Sequence, residues 1–126
     1  MSGSSFGTAI NCIDGRVQEP VINWMKKNRN VDFIDLITLE GPDRILFEGF
    51  PDRINILKKK ILVSINAHSS KTITVAGHHD CAGNPVSKEE HFKQIIKSVE
   101  LIRSWKFPVK VEGLWINDKW EVEVVS

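Results

Sequence analysis

Thr72-Ile73-Thr74-Val75-Ala76-Gly77-His78-His79-Asp80-Cys81 decides the fold. Its first half, Thr72 to Ala76, is short and continuously apolar or β-branched. That pattern predicts a strand buried on both faces of a parallel sheet. Gly77 closes the strand, and a loop follows at once with two imidazoles, a carboxylate and a thiol. In open α/β sheets, ligands bind beyond the carboxyl ends of the strands. The chain therefore carries reactive groups where such a sheet uses them.

The same arrangement occurs upstream. Phe6 to Asn11 is small and apolar and ends at Cys12, predicting a first buried strand. Gly15 turns the chain, and Val17, Val21, Trp24 and Met25 recur at helical spacing through about Asn28. Val31 to Leu39 predicts a second strand, closed by the turn signal Gly41-Pro42-Asp43. Leu46 to Pro51 reads as irregular. A helix is expected from Asp52, its N-cap, with Ile54, Leu57, Ile61, Ile65 and His68 on one face.

Downstream of Cys81, Ser87 and Glu90 form a capping box. The helix it opens should run to about Trp105, with Phe92, Ile95, Ile96, Val99 and Ile102 inward. Pro108 breaks it, and Val109 to Ile116 predicts a fourth strand. Asn117-Asp118 then turns the chain into Lys119–Val125, where Trp120, Val122 and Val124 alternate with Glu121 and Glu123. That ending predicts an antiparallel edge hairpin with one wet face. The expected fold is α/β and three-layered. It has a mainly parallel sheet flanked by helices with right-handed crossovers, and an antiparallel C-terminal hairpin. Residues 1–126 read as one domain, with 1–5 a flexible lead-in.

Composition narrows the function. The 126 residues are 41% hydrophobic and 26% charged, with a formal net charge of +1. Such a balance gives no electrostatic reason to expect nucleic acid or an anionic membrane as partner. Lys58-Lys59-Lys60 reads as a solvated helix face. No apolar run approaches the ~20 residues of a membrane helix, and Met1 to Ser5 lacks the pattern of a secretory signal. Two cysteines without a disulfide pattern fit a reducing, cytoplasmic setting.

The strand order brings Cys12, His78 and Cys81 to one rim. Two thiolates and an imidazole suit a zinc ion that keeps a position open for water, although iron or cobalt fits the same donors. Asp14 and Arg16 follow Cys12 at i, i+2 spacing. Asp14 has two available roles: direct ligation, which closes the site, or orientation of metal-bound hydroxide. A bidentate bond from Arg16 favours the second. Two thiolates offset the charge of the ion, so water there should acidify less than at a three-histidine site, where its pKa is about 7. Activity is expected to need Asp14 and to rise at alkaline pH. His79 reads as a solvent-facing loop residue, and His91 as a surface residue in a first helical turn. His68 reads as a helix-end cation, and Asp80 as a local or outer-sphere partner. Trp24, Trp105, Trp115 and Trp120 read as core or edge packing.

Cys12-x-Asp14-x-Arg16 followed by Gly77-His78-x-x-Cys81 resembles the β-class carbonic anhydrases, as does the small pair Ala82-Gly83. The resemblance covers roughly residues 8 to 120. It implies zinc on Cys12, His78 and Cys81, an Asp14–Arg16 catalytic dyad, hydration of carbon dioxide to bicarbonate, and homodimers or larger assemblies. Eleven residues precede Cys12, so the resemblance implies a minimal, divergent member without the family's N-terminal helical arm. Leu39-Glu40-Gly41-Pro42-Asp43 stands where the family has an Arg-Asn-Ala-Gly-like segment. That change admits hydrolysis of another small electrophile, such as carbon disulfide or carbonyl sulfide; direct ligation by Asp14 as fourth ligand would instead make a non-catalytic zinc protein.

Overall fold

A computed structural model describes residues 5–126. The elements run β1 (Phe6–Cys12), α1 (Gly15–Arg29), β2 (Phe33–Leu39), α2 (Pro42–Glu48), α3 (Pro51–His68), β3 (Thr72–His78), α4 (Lys88–Ser104), β4 (Lys110–Ile116) and β5 (Val122–Val124). One five-stranded sheet has the order β2-β1-β3-β4-β5. Its first four strands are parallel, and β5 pairs antiparallel with β4. The α/β class and the C-terminal edge hairpin are as expected.

The inner parallel strands β1, β3 and β4 are buried on both sides because helices cover both, while the edge strand β2 is largely open. On one face α1 packs Val17, Val21 and Met25 against Ala9, Ala76, Leu114 and Ile116. On the other, Leu46, Leu57, Ile61, Val99 and Ile102 of α2, α3 and α4 meet Ile10, Ile37, Ile73, Val75 and Val111. Burying one such aliphatic side chain contributes about 1.5–3 kcal/mol. The two cores therefore fix the strand register, and the register fixes the rim. Cys12 ends β1 and His78 ends β3, and β1 and β3 are adjacent in the sheet.

Several local expectations are corrected. Leu46–Pro51 is not irregular, because Leu46 to Glu48 end a two-turn helix, α2, and Pro51 already begins α3. Pro42 occupies the first turn, and Gly41 and Gly49 cap it in left-handed conformations. A helix this short carries too few turns for periodicity to reveal, yet Ile45 and Leu46 are buried. Asp52 is not the N-cap of α3. Phe50 takes that place without a side-chain bond, Pro51 begins the helix, and Asp52 sits in the first turn, where the dipole favours its charge.

In α4, Ser87 accepts the Glu90 N–H, as the capping box requires. The carboxylate of Glu90 instead accepts from Gln94. The inward face of α4 is more polar than expected. Ile96 is exposed, while His91, Gln94 and Ser98 are buried. His91 is therefore no surface residue. Its Nδ1 donates to the buried Asp43 at 2.6 Å. Asp43 also accepts from Asn84, which in turn donates to Gln94. Polar partners brought in from α2 and the loop after Cys81 make that burial tolerable. Trp120 lies outside β5, in the hairpin turn.

Candidate metal centre

The turn after β1 is built by its own polar groups. Asp14 is the N-cap of α1, and its Oδ1 accepts the Arg16 N–H at 2.9 Å. The Gln18 amide donates to the carbonyls of Cys12 and Asp14, both at 2.8 Å, and tethers the loop from inside the helix. The second loop is tied to the sheet where the His79 N–H donates to the Ile116 carbonyl.

Cys12, His78 and Cys81 are all buried, and their ligand atoms lie within 4.8 Å of one another. The two sulfurs are 3.9 Å apart and both cysteines are free. Among the described residues this is the one such His/Cys/Asp/Glu cluster. The His78 Nδ1 donates to the His79 carbonyl at 2.7 Å, which turns Nε2 toward the sulfurs. That Nε2 is buried and has no hydrogen-bond partner. Leaving a buried polar atom unpaired costs about 1–3 kcal/mol. A soft-donor pair beside an orphaned imidazole nitrogen is the arrangement a zinc ion satisfies.

Electrostatics agree with this fit. The Cys12 thiol is pulled down to about 3, first by the bond that Cys81 donates, against burial, with further help from His78 and the backbone N–H groups of Gly41 and Asp14. The Cys81 thiol is pushed up by that same pairing and by burial, so one proton is shared between them. Burial alone would lower His78, but the Cys12 sulfur, the His79 carbonyl and the charge of Asp14 outweigh it and raise it.

Asp14 stands at the mouth. Its Oδ2 is 4.0 Å from His78 Nε2. Arg16 grips it in a fork, Nε to Oδ1 at 3.0 Å and Nη2 to Oδ2 at 2.7 Å. That fork, against partial burial, holds the carboxyl at about 2. Asp80 closes on Arg16 from the second loop, with Nη1 to its carboxylate at 3.3 Å and Nη2 to its carbonyl at 3.2 Å. The structure thus brings together Cys12, His78, Cys81, Asp14 and Arg16. His79 is exposed, as expected. His68 ends α3 and bonds Asp35 at 2.7 Å, in another region.

Sequence inspection overlooked four contributors. Gln18 holds the first loop, and Gly41 points its N–H at Cys12. Gly83 and Asn84 do the same for Cys81. Gly41 has φ +65, and a Cβ there would lie 2.9 Å from both the Gly83 carbonyl oxygen and the Asn84 side chain. Only glycine lets the two loops cross so closely. The turn signal at Gly41-Pro42 was visible, but its target was not.

A mainly parallel α/β sheet with a buried Cys–His–Cys cluster on its rim defines the class: an α/β protein with a candidate metal site. A family model described as "Putative carbonic anhydrase" matches residues 2–126, and the chain belongs to that family. The fold is similar to a tetrameric β-carbonic anhydrase of the filamentous ascomycete Sordaria macrospora. That structure is 13% identical with a TM-score of 0.57, over 97% of this chain and 81% of that one. It is also similar to the β-carbonic anhydrase CafA of Aspergillus fumigatus, 12% identical with a TM-score of 0.51, over 97% of this chain and 76% of that one. A search of curated proteins finds no match.

Proposed function

We propose that this chain is a zinc-dependent carbonic anhydrase that interconverts carbon dioxide and bicarbonate. Cys12, His78 and Cys81 would hold the ion, and Asp14 and Arg16 would serve the chemistry. The observation that carries this is the orphaned His78 Nε2 beside two free thiols, under a carboxylate already committed to Arg16. Zinc bound there supplies a Lewis acid that turns water into a nucleophile near neutral pH.

The residues divide the remaining work. Asp14 offers a carboxylate oxygen at the mouth and would accept a hydrogen bond from a water in the site, which would fix where that water's lone pair points. Arg16 occupies the Asp14 carboxylate with two hydrogen bonds and so disfavours its direct ligation. This pairing weighs against a closed, non-catalytic site with Asp14 as fourth ligand. The His79 carbonyl keeps His78 in the tautomer whose Nε2 is free.

The tetrameric state of the Sordaria relative supports a homo-oligomer here too. Among the described residues no helix is long and apolar enough to cross a membrane. Two thiols that must stay reduced to bind metal support a cytoplasmic setting.

Stopped-flow hydration of carbon dioxide by zinc-loaded protein tests the proposal. The expected rate is far above that of free zinc and depends on Asp14. A rate equal to free zinc, or equal rates for the parent and Asp14→Ala, overturns it. Activity of the parent on carbon disulfide or carbonyl sulfide alone would move the substrate to that class.

A further inference from the structure

We propose that Trp120 is a positioning residue that holds Arg16 on Asp14 and so keeps Asp14 off the metal. The inference rests on the metal site proposed above. The Arg16 guanidinium carbon lies 4.4 Å from the centroid of the Trp120 ring. The edge of the guanidinium is bonded to Asp14 and Asp80, and its face rests on the indole. Arg16 is 46% exposed, and a pair that open to water is ordinarily loose. An aromatic face removes water from one side and attracts the cation.

The backbone carries strain at the same place. Trp120 has φ +60 and Asp80 φ +58, both in the left-handed region that non-glycine residues avoid. The hairpin turn holds Trp120 there through several bonds. The Trp120 N–H donates to the Asn117 carbonyl at 2.9 Å, and the Asn117 side-chain oxygen accepts the N–H groups of Lys119 and Glu121. The Asn117 amide is itself anchored on Glu123 at 2.9 Å. Two strained residues from different loops thus converge on one guanidinium, and strain of this kind persists only where surrounding bonds over-determine it.

The consequence follows from competition. Two cations can claim Asp14: the guanidinium and an ion on the Cys–His–Cys cluster, whose His78 Nε2 is 4.0 Å from Oδ2. Whatever tightens Arg16 shifts Asp14 away from the ion and leaves room for water. The indole also packs against the α1-side core, so mere packing is the rival account. Trp120→Phe keeps a π face, whereas Trp120→Leu keeps apolar bulk without one.

Two measurements separate these accounts. In metal-free protein, NMR exchange of the Arg16 Nε–H is expected to stay slow in the parent and Trp120→Phe. It should be roughly tenfold faster in Trp120→Leu. In crystals of zinc-loaded Trp120→Leu, the Asp14 carboxylate should sit on the metal, while in Trp120→Phe it should remain on Arg16. If the Leu and Phe variants behave alike in both measurements, Trp120 only packs and the inference fails. If the parent takes up no zinc on Cys12, His78 and Cys81, the function proposed above falls, and the exchange rates alone decide whether Trp120 holds Arg16.

Discussion

Helix α1 carries the same device at both ends, and the two copies differ in what they face. At its start, Arg16 lies between the Asp14 carboxylate and the Trp120 ring. At its end, Arg29 lies between the Glu112 carboxylate, both bonds 2.6 Å, and the Trp24 ring, 4.6 Å away. The first pair is open, with side chains 46% and 19% exposed, and the second is more closed, at 26% and 7%. An arginine held between a carboxylate and an indole is therefore not by itself a mark of function. The neighbour decides. Glu112 has Arg29 as its hydrogen-bonding partner, whereas the Asp14 carboxylate also lies 4.0 Å from His78 Nε2. Trp24 sits in ordinary helix, whereas Trp120 is held in a strained turn.

The largest expected effect tests the neighbour. His78→Ala or Cys81→Ser should drop bound zinc from about one ion per chain to less than about a tenth, measured by elemental analysis after dialysis, and abolish hydration. No comparable substitution at the Arg29 end should alter zinc content. Retention of zinc by both variants would erase the contrast between the two ends. Next in size, Asp14→Asn should keep its zinc and lose roughly 100-fold in kcat/KM for carbon dioxide. An unchanged kcat/KM would make the rim pair as structural as the other.

Glu112→Gln should do the reverse. It should cost about 2 kcal/mol in denaturant unfolding, since hydrogen bonds to a buried charge are lost, with zinc content and activity kept. The Arg29 bonds, working against burial, hold the Glu112 carboxyl below its ordinary value. Its folded pKa is thus depressed. Its contribution is fully present above the usual carboxylate range and is lost as pH falls through the folded pKa. The stability gap between the parent and Glu112→Gln should accordingly close on acidification below about pH 4 and stay constant above about pH 6. A gap that widens in acid would contradict the assigned pairing. Smallest of all, Trp24→Leu should cost less than about 1 kcal/mol and leave zinc untouched, in contrast to the Trp120→Leu test.

Much of this was legible before the fold was known. Strands such as Thr72–Ala76 announce themselves by apolar continuity, and helices such as that after Ser87 by a local cap. Cys12 and His78 end their strands and Cys81 follows three residues after His78, so topology alone sends them to one rim. What failed to show depended on distant partners. His91 looked like a surface residue because its reason for burial, Asp43, lies on a helix too short to carry a periodic signal. Ile96 looked inward because a helical wheel counts apolar residues and cannot foresee a polar network claiming the face. Trp120 looked like edge packing because the cation it covers stands at the far end of the sequence.

The sequence by itself determined the succession of strands and helices, the candidate donors at the strand ends and the nearness of Asp14 to Arg16, because each follows from hydrophobic periodicity or from residues within a few positions of a strand end. Only the tertiary structure decided that Gly41 and Gly83 cross at van der Waals distance, that Asp43 and His91 pair out of water, and that Asp80 and Trp120 close on Arg16. Those contacts join segments far apart in the chain. Their energies are set by burial and by the partner's approach, which no local pattern encodes.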